Sequence, residues 1–228
     1  MTKKFPIIMA ILLLIISCSK SEENTEKSDI NIETKIIKET GTYKNNNIFH
    51  IDAKIPIVSG IEFGFEDLIQ KWKMHNETEK LEKTKPKEYK HEYFYYSGFE
   101  IFTNEDLKIT SILYSEYTTE GGANGFTTYY PINLKGNEII KISDIISKDQ
   151  LDSLIQVLRE QAKKEFKEFM TFDMNHDLFE NKFEEIFNKH KYYFKNNNVI
   201  FFYDPLMISN HANGKVEFTF PVAKNSED

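Results

Sequence analysis

Hydrophobic and polar positions alternate with period two along much of this chain and switch to a helical period in three stretches. Ile32, Thr34 and Ile36 share one face of a predicted strand. Phe49, Ile51, Ala53 and Ile55 mark a second, which Pro56 is expected to end, with Asn45-Asn46-Asn47 as the turn between them. Beyond Ser59-Gly60, the residues Phe65, Leu68, Ile69 and Trp72 recur at helical spacing. The polar run from His75 to Lys87 continues or frays that helix, which stops near Pro86. Two β-rich segments follow, Tyr89–Thr103 and Leu107–Thr119, joined by a turn at Thr103-Asn104-Glu105-Asp106. Phe126–Leu134 is a further strand, with Lys135-Gly136-Asn137 as its turn.

Ser147-Lys148-Asp149-Gln150 has the spacing of a capping box, in which Ser147 satisfies an orphan amide at a helix start. The helix it opens carries Leu151, Leu154, Ile155, Leu158, Ala162, Phe166 and Phe169 on one stripe. A shorter helix over about Leu178–His190 presents Phe179, Phe183, Ile186 and Phe187, and Val199–Tyr203 and Lys215–Val222 read as closing strands. No internal repeat interrupts this order. The pattern predicts an α+β fold of mostly antiparallel sheet with helices packed on one side, in two small, intimately packed subdomains over 31–105 and 106–224.

The N-terminus breaks the pattern. Met1-Thr2-Lys3-Lys4 precedes an apolar run from Phe5 to Ile16 and then Ser17-Cys18. The run is shorter than the about 20 residues a membrane span needs, and its basic start and small residue before the cysteine describe a secretory leader. Ile15-Ile16-Ser17-Cys18 resembles the lipobox of bacterial lipoproteins. The expectation is a signal peptide over 1–17, lipidation of Cys18, and a flexible acylated tether over 18–30, where no large apolar side chain precedes Ile30. Such a protein is extracytoplasmic and held to a bacterial membrane through its lipid.

Charge and composition narrow the partners. The formal net charge of −7 includes Lys3 and Lys4, so removing the leader makes the chain still more acidic. An acidic surface repels phosphate backbones, which argues against nucleic acid. Cys18 is the only cysteine, so neither an intramolecular disulfide nor thiol catalysis is available to the mature domain. Stability must come from an apolar core, and 19 Phe with 12 Tyr can supply one.

Familiar catalytic and metal signatures are missing. The segment Asp173 to Glu184 places acids and amides where a calcium loop has them, but Leu178 occupies the position of the turn glycine and Glu180 that of an apolar residue. His50, His75, His91, His176, His190 and His211 show no paired metal-ligand spacing. There is no nucleophile elbow and no phosphate-binding glycine loop. No catalytic residue, metal ligand or cofactor is assigned. Tyr93-Phe94-Tyr95-Tyr96 and Tyr129-Tyr130 could stack on sugar rings, although half of any alternating aromatic run must face a core.

The glycine cluster Gly121-Gly122-Ala123-Asn124-Gly125 sits between β segments, where glycine permits close approach or an unusual backbone. The stretch from Tyr117 to Gly125 resembles the Tyr-x-x-x-Gly-Gly-Ala-His-Gly element of an envelope domain family. That family includes the extracytoplasmic part of RsiV-like, lysozyme-sensing anti-sigma factors and the N-terminal region of PdaC-like peptidoglycan deacetylases. Pro131-Ile132-Asn133-Leu134-Lys135-Gly136, Ile142-Ser143-Asp144-Ile145 and Phe201-Phe202-Tyr203-Asp204-Pro205 with His211-Ala212-Asn213-Gly214 resemble its later segments. Ile55-Pro56-Ile57-Val58-Ser59-Gly60 resembles its start, so the similarity spans about 40–222. It makes 31–105 PdaC-like and 106–224 RsiV-like.

Asn124 stands where the family carries histidine and Leu206 where it carries tyrosine, so no imidazole role transfers. No sigma-binding segment with a membrane helix and no deacetylase domain accompanies the resemblance. What it implies is a non-catalytic binding or sensing module for a lysozyme-like protein or peptidoglycan glycan. The implied contact surface is Tyr117, Gly121, Gly122, Ala123, Asn124, Gly125 and Phe126 with Asn210, His211 and Asn213. Two alternatives stand beside it. A carboxylate-dependent glycan-modifying enzyme requires a deep pocket with two carboxylates about 5–9.5 Å apart. A structural surface lipoprotein requires no ligand.

Overall fold

The computed structural model describes residues 30–43, 46–78, 91–119, 124–170, 176–210 and 213–222. The expected leader and most of the tether, including Cys18, lie outside the described residues, as do Gly121, Gly122, Ala123 and His211. The fold is α+β. Strands β1 (Ile32–Thr42) and β2 (Ile48–Val58) precede helix α1 (Phe65–Thr78). β3 (Glu92–Asn104), β4 (Ile109–Thr118), β5 (Phe126–Lys135) and the two-residue β6 (Glu138–Ile139) follow. After a single 3-10 turn (Ile142–Asp144) come α2 (Lys148–Phe169), α3 (His176–Phe187), β7 (Lys191–Lys195), β8 (Asn198–Tyr203) and β9 (Val216–Pro221).

β1 to β6 form one sheet in chain order, and β7, β8 and β9 form a second. Neighbours are antiparallel except β2 and β3, which run parallel because α1 carries the chain back across the sheet between them. β2 continues through Pro56 to Val58. Its pairing with β3 covers Ile48–Ala53, so the N–H that Pro56 lacks is not one that ladder needs. The position 105/106 falls in the β3–β4 turn, between two adjacent strands of the first sheet, where Asn104 Oδ1 accepts from the Leu107 amide at 3.0 Å.

The layers follow the alternation. On one face of the first sheet, Phe65, Ile69 and Trp72 of α1 pack on Phe49, Ile51, Ile55, Tyr93, Tyr95 and Tyr114. On the opposite face, Phe102, Leu113 and Tyr129 meet Tyr193, Ile200 and Phe202 of the second sheet, whose β7 lies against β3, β4 and β5. The far face of the second sheet, with Val199, Phe201, Tyr203, Phe218 and Phe220, packs on Leu158, Ala162 and Phe166 of α2 and Phe183 and Phe187 of α3. Each such buried aromatic stabilises the fold by about 2–3 kcal/mol through removal of apolar area from water. Each sheet therefore carries helices on one face only, and among the described residues no helix is long and apolar enough to cross a membrane.

α2 opens on Ser147, whose Oγ accepts from the Gln150 amide at 3.4 Å. α3 ends at Phe187, earlier than its periodicity predicts. His190 Nδ1 lies 2.8 Å from the Phe187 carbonyl, and the chain then enters β7, a strand too short to stand out in the sequence. β7 has an open edge, and side chains from the first sheet satisfy it. The Phe194 amide donates to Ser111 Oγ at 2.9 Å, and Asn133 Nδ2 donates to the Tyr192 carbonyl at 3.3 Å. Ser111 Oγ in turn donates to Asn133 Oδ1 at 2.6 Å. Asp204, buried, accepts from the Tyr129 amide of β5 at 3.2 Å and from Lys191 Nζ at 2.5 Å, while Lys191 also donates to the Tyr129 carbonyl at 2.6 Å. These bonds satisfy backbone groups of Tyr129, Tyr192 and Phe194 where β5 and β7 face each other.

Candidate functional site

β3 divides its aromatic residues between two environments. Tyr93 and Tyr95 are 0 % exposed beneath α1, whereas Phe94 lies half-buried and Tyr96 is 44 % exposed on the other face. There Phe94 lies 4.9 Å from the His50 ring at an interplanar angle of 12°. Tyr96 continues the row 5.8 Å from Phe94, and Tyr117 of β4 lies 6.3 Å beyond it, each step turning by 19°. The second sheet covers this face from Phe102, Leu113 and Tyr129 onward, and at the end bearing the four near-parallel rings Tyr96 is exposed and the other three are half-buried.

Beside the row lies a shallow hollow of about 360 Å³ lined by Lys38, Thr40, His50, Asp52 and Tyr96. Lys38 Nζ and Asp52 Oδ2 are 3.2 Å apart, as are Thr40 Oγ1 and His50 Nδ1. Glu39, also at the hollow, is tied to Lys73 of α1 at 2.6 Å. Both acids here already have cations. A second hollow, of about 310 Å³, lies between β5, β6 and β7, but its Asn133 and Lys191 are consumed by the bonds that join the sheets. Among the described residues no three histidine, cysteine or acidic side chains gather as a metal site would require.

Of the residues singled out in the sequence, Tyr117 is the last ring of the row. Gly125 lies against it: a Cβ there would run into the Tyr117 ring and approach the Thr118 carbonyl to 2.6 Å. Close approach, not a left-handed backbone, requires this glycine. Phe126 pairs with Thr118 and so projects from the face opposite Tyr117, where it is 56 % exposed. Asn124 is exposed at the rim. Asn210 and Asn213 are exposed in the β8–β9 connection, where the Asn213 amide donates to the Asn210 carbonyl at 3.2 Å. Asp204 at one end of that connection binds the Tyr129 amide, and Lys215 at the other holds its Nζ 5.5 Å from the Tyr129 ring. Tyr129 is three residues from Phe126, about 10 Å along β5, so the connection is rooted near the same end of the sheet. His50, Phe94 and Tyr96 complete the row. Their signal in the sequence is the alternation of β3 and β2, which does not reveal which aromatic set is left uncovered.

On the α1 side, Glu116 accepts from the Tyr95 hydroxyl at 2.7 Å and the Tyr130 hydroxyl at 2.6 Å, and the Tyr95 and Tyr114 hydroxyls are 3.1 Å apart. Burial, before the hydrogen bonds and charge, pushes Tyr95 and Tyr130 well above the ordinary tyrosine range. These phenols stay neutral and donate. The cluster is a polar insert beneath α1 built around the Glu116 carboxylate.

Residues 143–223 match the model of a family described as "Protein of unknown function (DUF3298)". The match spans α2, α3 and the whole second sheet. No curated protein matches the chain. Two solved structures are similar to it, a member of the DUF3298 family from Bacteroides fragilis NCTC 9343 and a DUF3298 family protein from Pseudomonas aeruginosa PAO1. Each is 14% identical with a TM-score of 0.48. The first alignment covers 86% of this chain and 91% of the other, and the second covers 84% and 90%.

Proposed function

We propose that this protein is a lipid-anchored, extracytoplasmic binding module of the bacterial envelope that recognises peptidoglycan glycan without turning it over. The observation that carries this reading is the row His50, Phe94, Tyr96 and Tyr117 beyond the edge of the second sheet, part-exposed aromatic surface against which the C–H face of a sugar ring can pack. The sequence ending at Cys18 supports the address, and Gly125 against the Tyr117 ring supports the site. Recognition in this reading is non-covalent, and the two acids at the adjoining hollow, Asp52 and Glu39, are each held by a lysine.

A lysozyme-like protein is the second reading. It is favoured by the formal charge of −7, since a cationic partner would be steered towards an acidic surface. Co-sedimentation with purified peptidoglycan and pulldown with lysozyme, each at low and high salt, separate the two. Glycan stacking is expected to survive salt, while electrostatic capture weakens. Binding to neither partner rejects the proposal, and release of new reducing ends from peptidoglycan would convert the module into an enzyme. The anchor has its own test: metabolic labelling with a fatty acid is expected to mark the wild type and not Cys18→Ala.

A further inference from the structure

Gly98 lies inside β3, opposite Ser115 of β4, on the open face. Glycine weakens a strand interior, so its presence calls for a reason. Its backbone is not among the left-handed positions, which removes the conformational one. A Cβ added there would meet nothing within 4 Å, which removes the packing one. Gly125, by contrast, is forced by the Tyr117 ring. What Gly98 does accomplish is to leave the floor of the face bare.

The surroundings of that floor are specific. Two residues along β3 on either side stand Tyr96 and Glu100, and on β4 Ser115 is flanked in the same way by Tyr117 and Leu113. Side chains two apart on a strand share a face, so these two small residues make a notch with an aromatic wall at one end and an exposed carboxylate at the other. Tyr96 and Glu100 are four residues apart, about 13 Å, room for one pyranose ring.

We infer that the Gly98–Ser115 notch is the subsite for one uncharged pyranose ring of a glycan strand that continues along the aromatic row. The inference rests on the glycan-binding reading and deepens it. A pyranose has an apolar C–H face suited to the Tyr96 and Tyr117 rings, and a rim of hydroxyls suited to Ser115 Oγ and the Glu100 carboxylate. Glu100 repels an anionic sugar at this position, so the ring that fits carries no carboxylate of its own. The strand then passes Phe94 and His50 towards the hollow, where the Lys38–Asp52 pair offers a donor and an acceptor.

The test uses Gly98→Val and Tyr96→Ala against wild type, with insoluble peptidoglycan and a soluble N-acetylglucosamine oligomer as probes and thermal melting as the fold control. Valine is favoured in strands, so Gly98→Val is expected to melt no lower than wild type while losing about tenfold or more in glycan affinity. Tyr96→Ala, at an exposed position, is expected to lose about fivefold, and it decides the matter should Gly98→Val melt early. Wild-type affinity for glycan in both variants overturns the notch and leaves the binding module standing. Wild-type capture of lysozyme alone also overturns the notch. Wild-type protein that binds neither partner removes the module itself.

Discussion

The two faces of the first sheet are built from the same kinds of residue and do opposite things. On β3, Tyr93 and Tyr95 are sealed beneath α1 against Ile69 and Trp72, while Phe94 and Tyr96 stand on the uncovered side. Nothing about a tyrosine dictates either fate. The α1 side is sealed because a crossover helix with Phe65, Ile69 and Trp72 on one stripe must lie on the sheet it connects. The opposite side is covered only as far as the second sheet reaches, and the rings beyond it cannot be explained as core. Of these rings Tyr96 is the exposed one, and His50, Phe94 and Tyr117 are half-buried beside it.

Alkaline pH should strike the packed side hardest. Burial holds the folded-state values of Tyr43, Tyr95 and Tyr130 above the ordinary tyrosine value near 10. Below pH 10 the folded and unfolded chains bind these protons alike. Above it the unfolded chain gives them up first, so stability falls as pH rises, by about 1 kcal/mol per group per pH unit. Denaturant titrations at pH 9, 10 and 11 read this directly, and a flat profile would contradict the sealed environment.

Tyr95→Ala comes next, with an expected loss of about 3–5 kcal/mol, since it empties core volume and strips a donor from Glu116. Tyr96→Ala, one residue on, should cost less than about 1 kcal/mol while weakening glycan binding. Equal costs in urea melts would erase the distinction between the faces.

Ion pairs should divide in the same way. Lys191→Met leaves the buried Asp204 uncompensated and should cost about 2–3 kcal/mol. Lys38→Met, beside the more exposed Asp52, should cost less than about 0.5 kcal/mol. The two glycines give the finest contrast. Gly125→Ala forces the Tyr117 ring aside and is expected to cost about 1–2 kcal/mol, whereas Gly98→Val should be neutral or slightly stabilising. A thermal shift with the two glycines in the reverse order would break the packing distinction between them.

Much of the secondary structure is legible in the chain because it depends on short-range periodicity. Phe65, Leu68, Ile69 and Trp72 announce α1, and Ser147 with the stripe from Leu151 to Phe169 announces α2. The aromatic run from Tyr93 to Tyr96 announces a strand without saying which of its faces is covered. β7 is not legible: its edge is held by Ser111 and Asn133, side chains more than fifty residues upstream, and five residues carry too little pattern on their own. The parallel pairing of β2 with β3 is hidden for the same reason, because it depends on where α1 delivers the chain.

The candidate site shows the same limit. Tyr117 and Gly125 stand out as residues, but that they touch, that Phe126 turns away from them, and that Gly98 lies open follow from strand register. Local sequence determined which segments become strands and helices, since hydrophobic period and capping act within a few residues. The tertiary structure alone decided which aromatic face is buried and which is offered, because exposure depends on what a distant part of the chain lays on top.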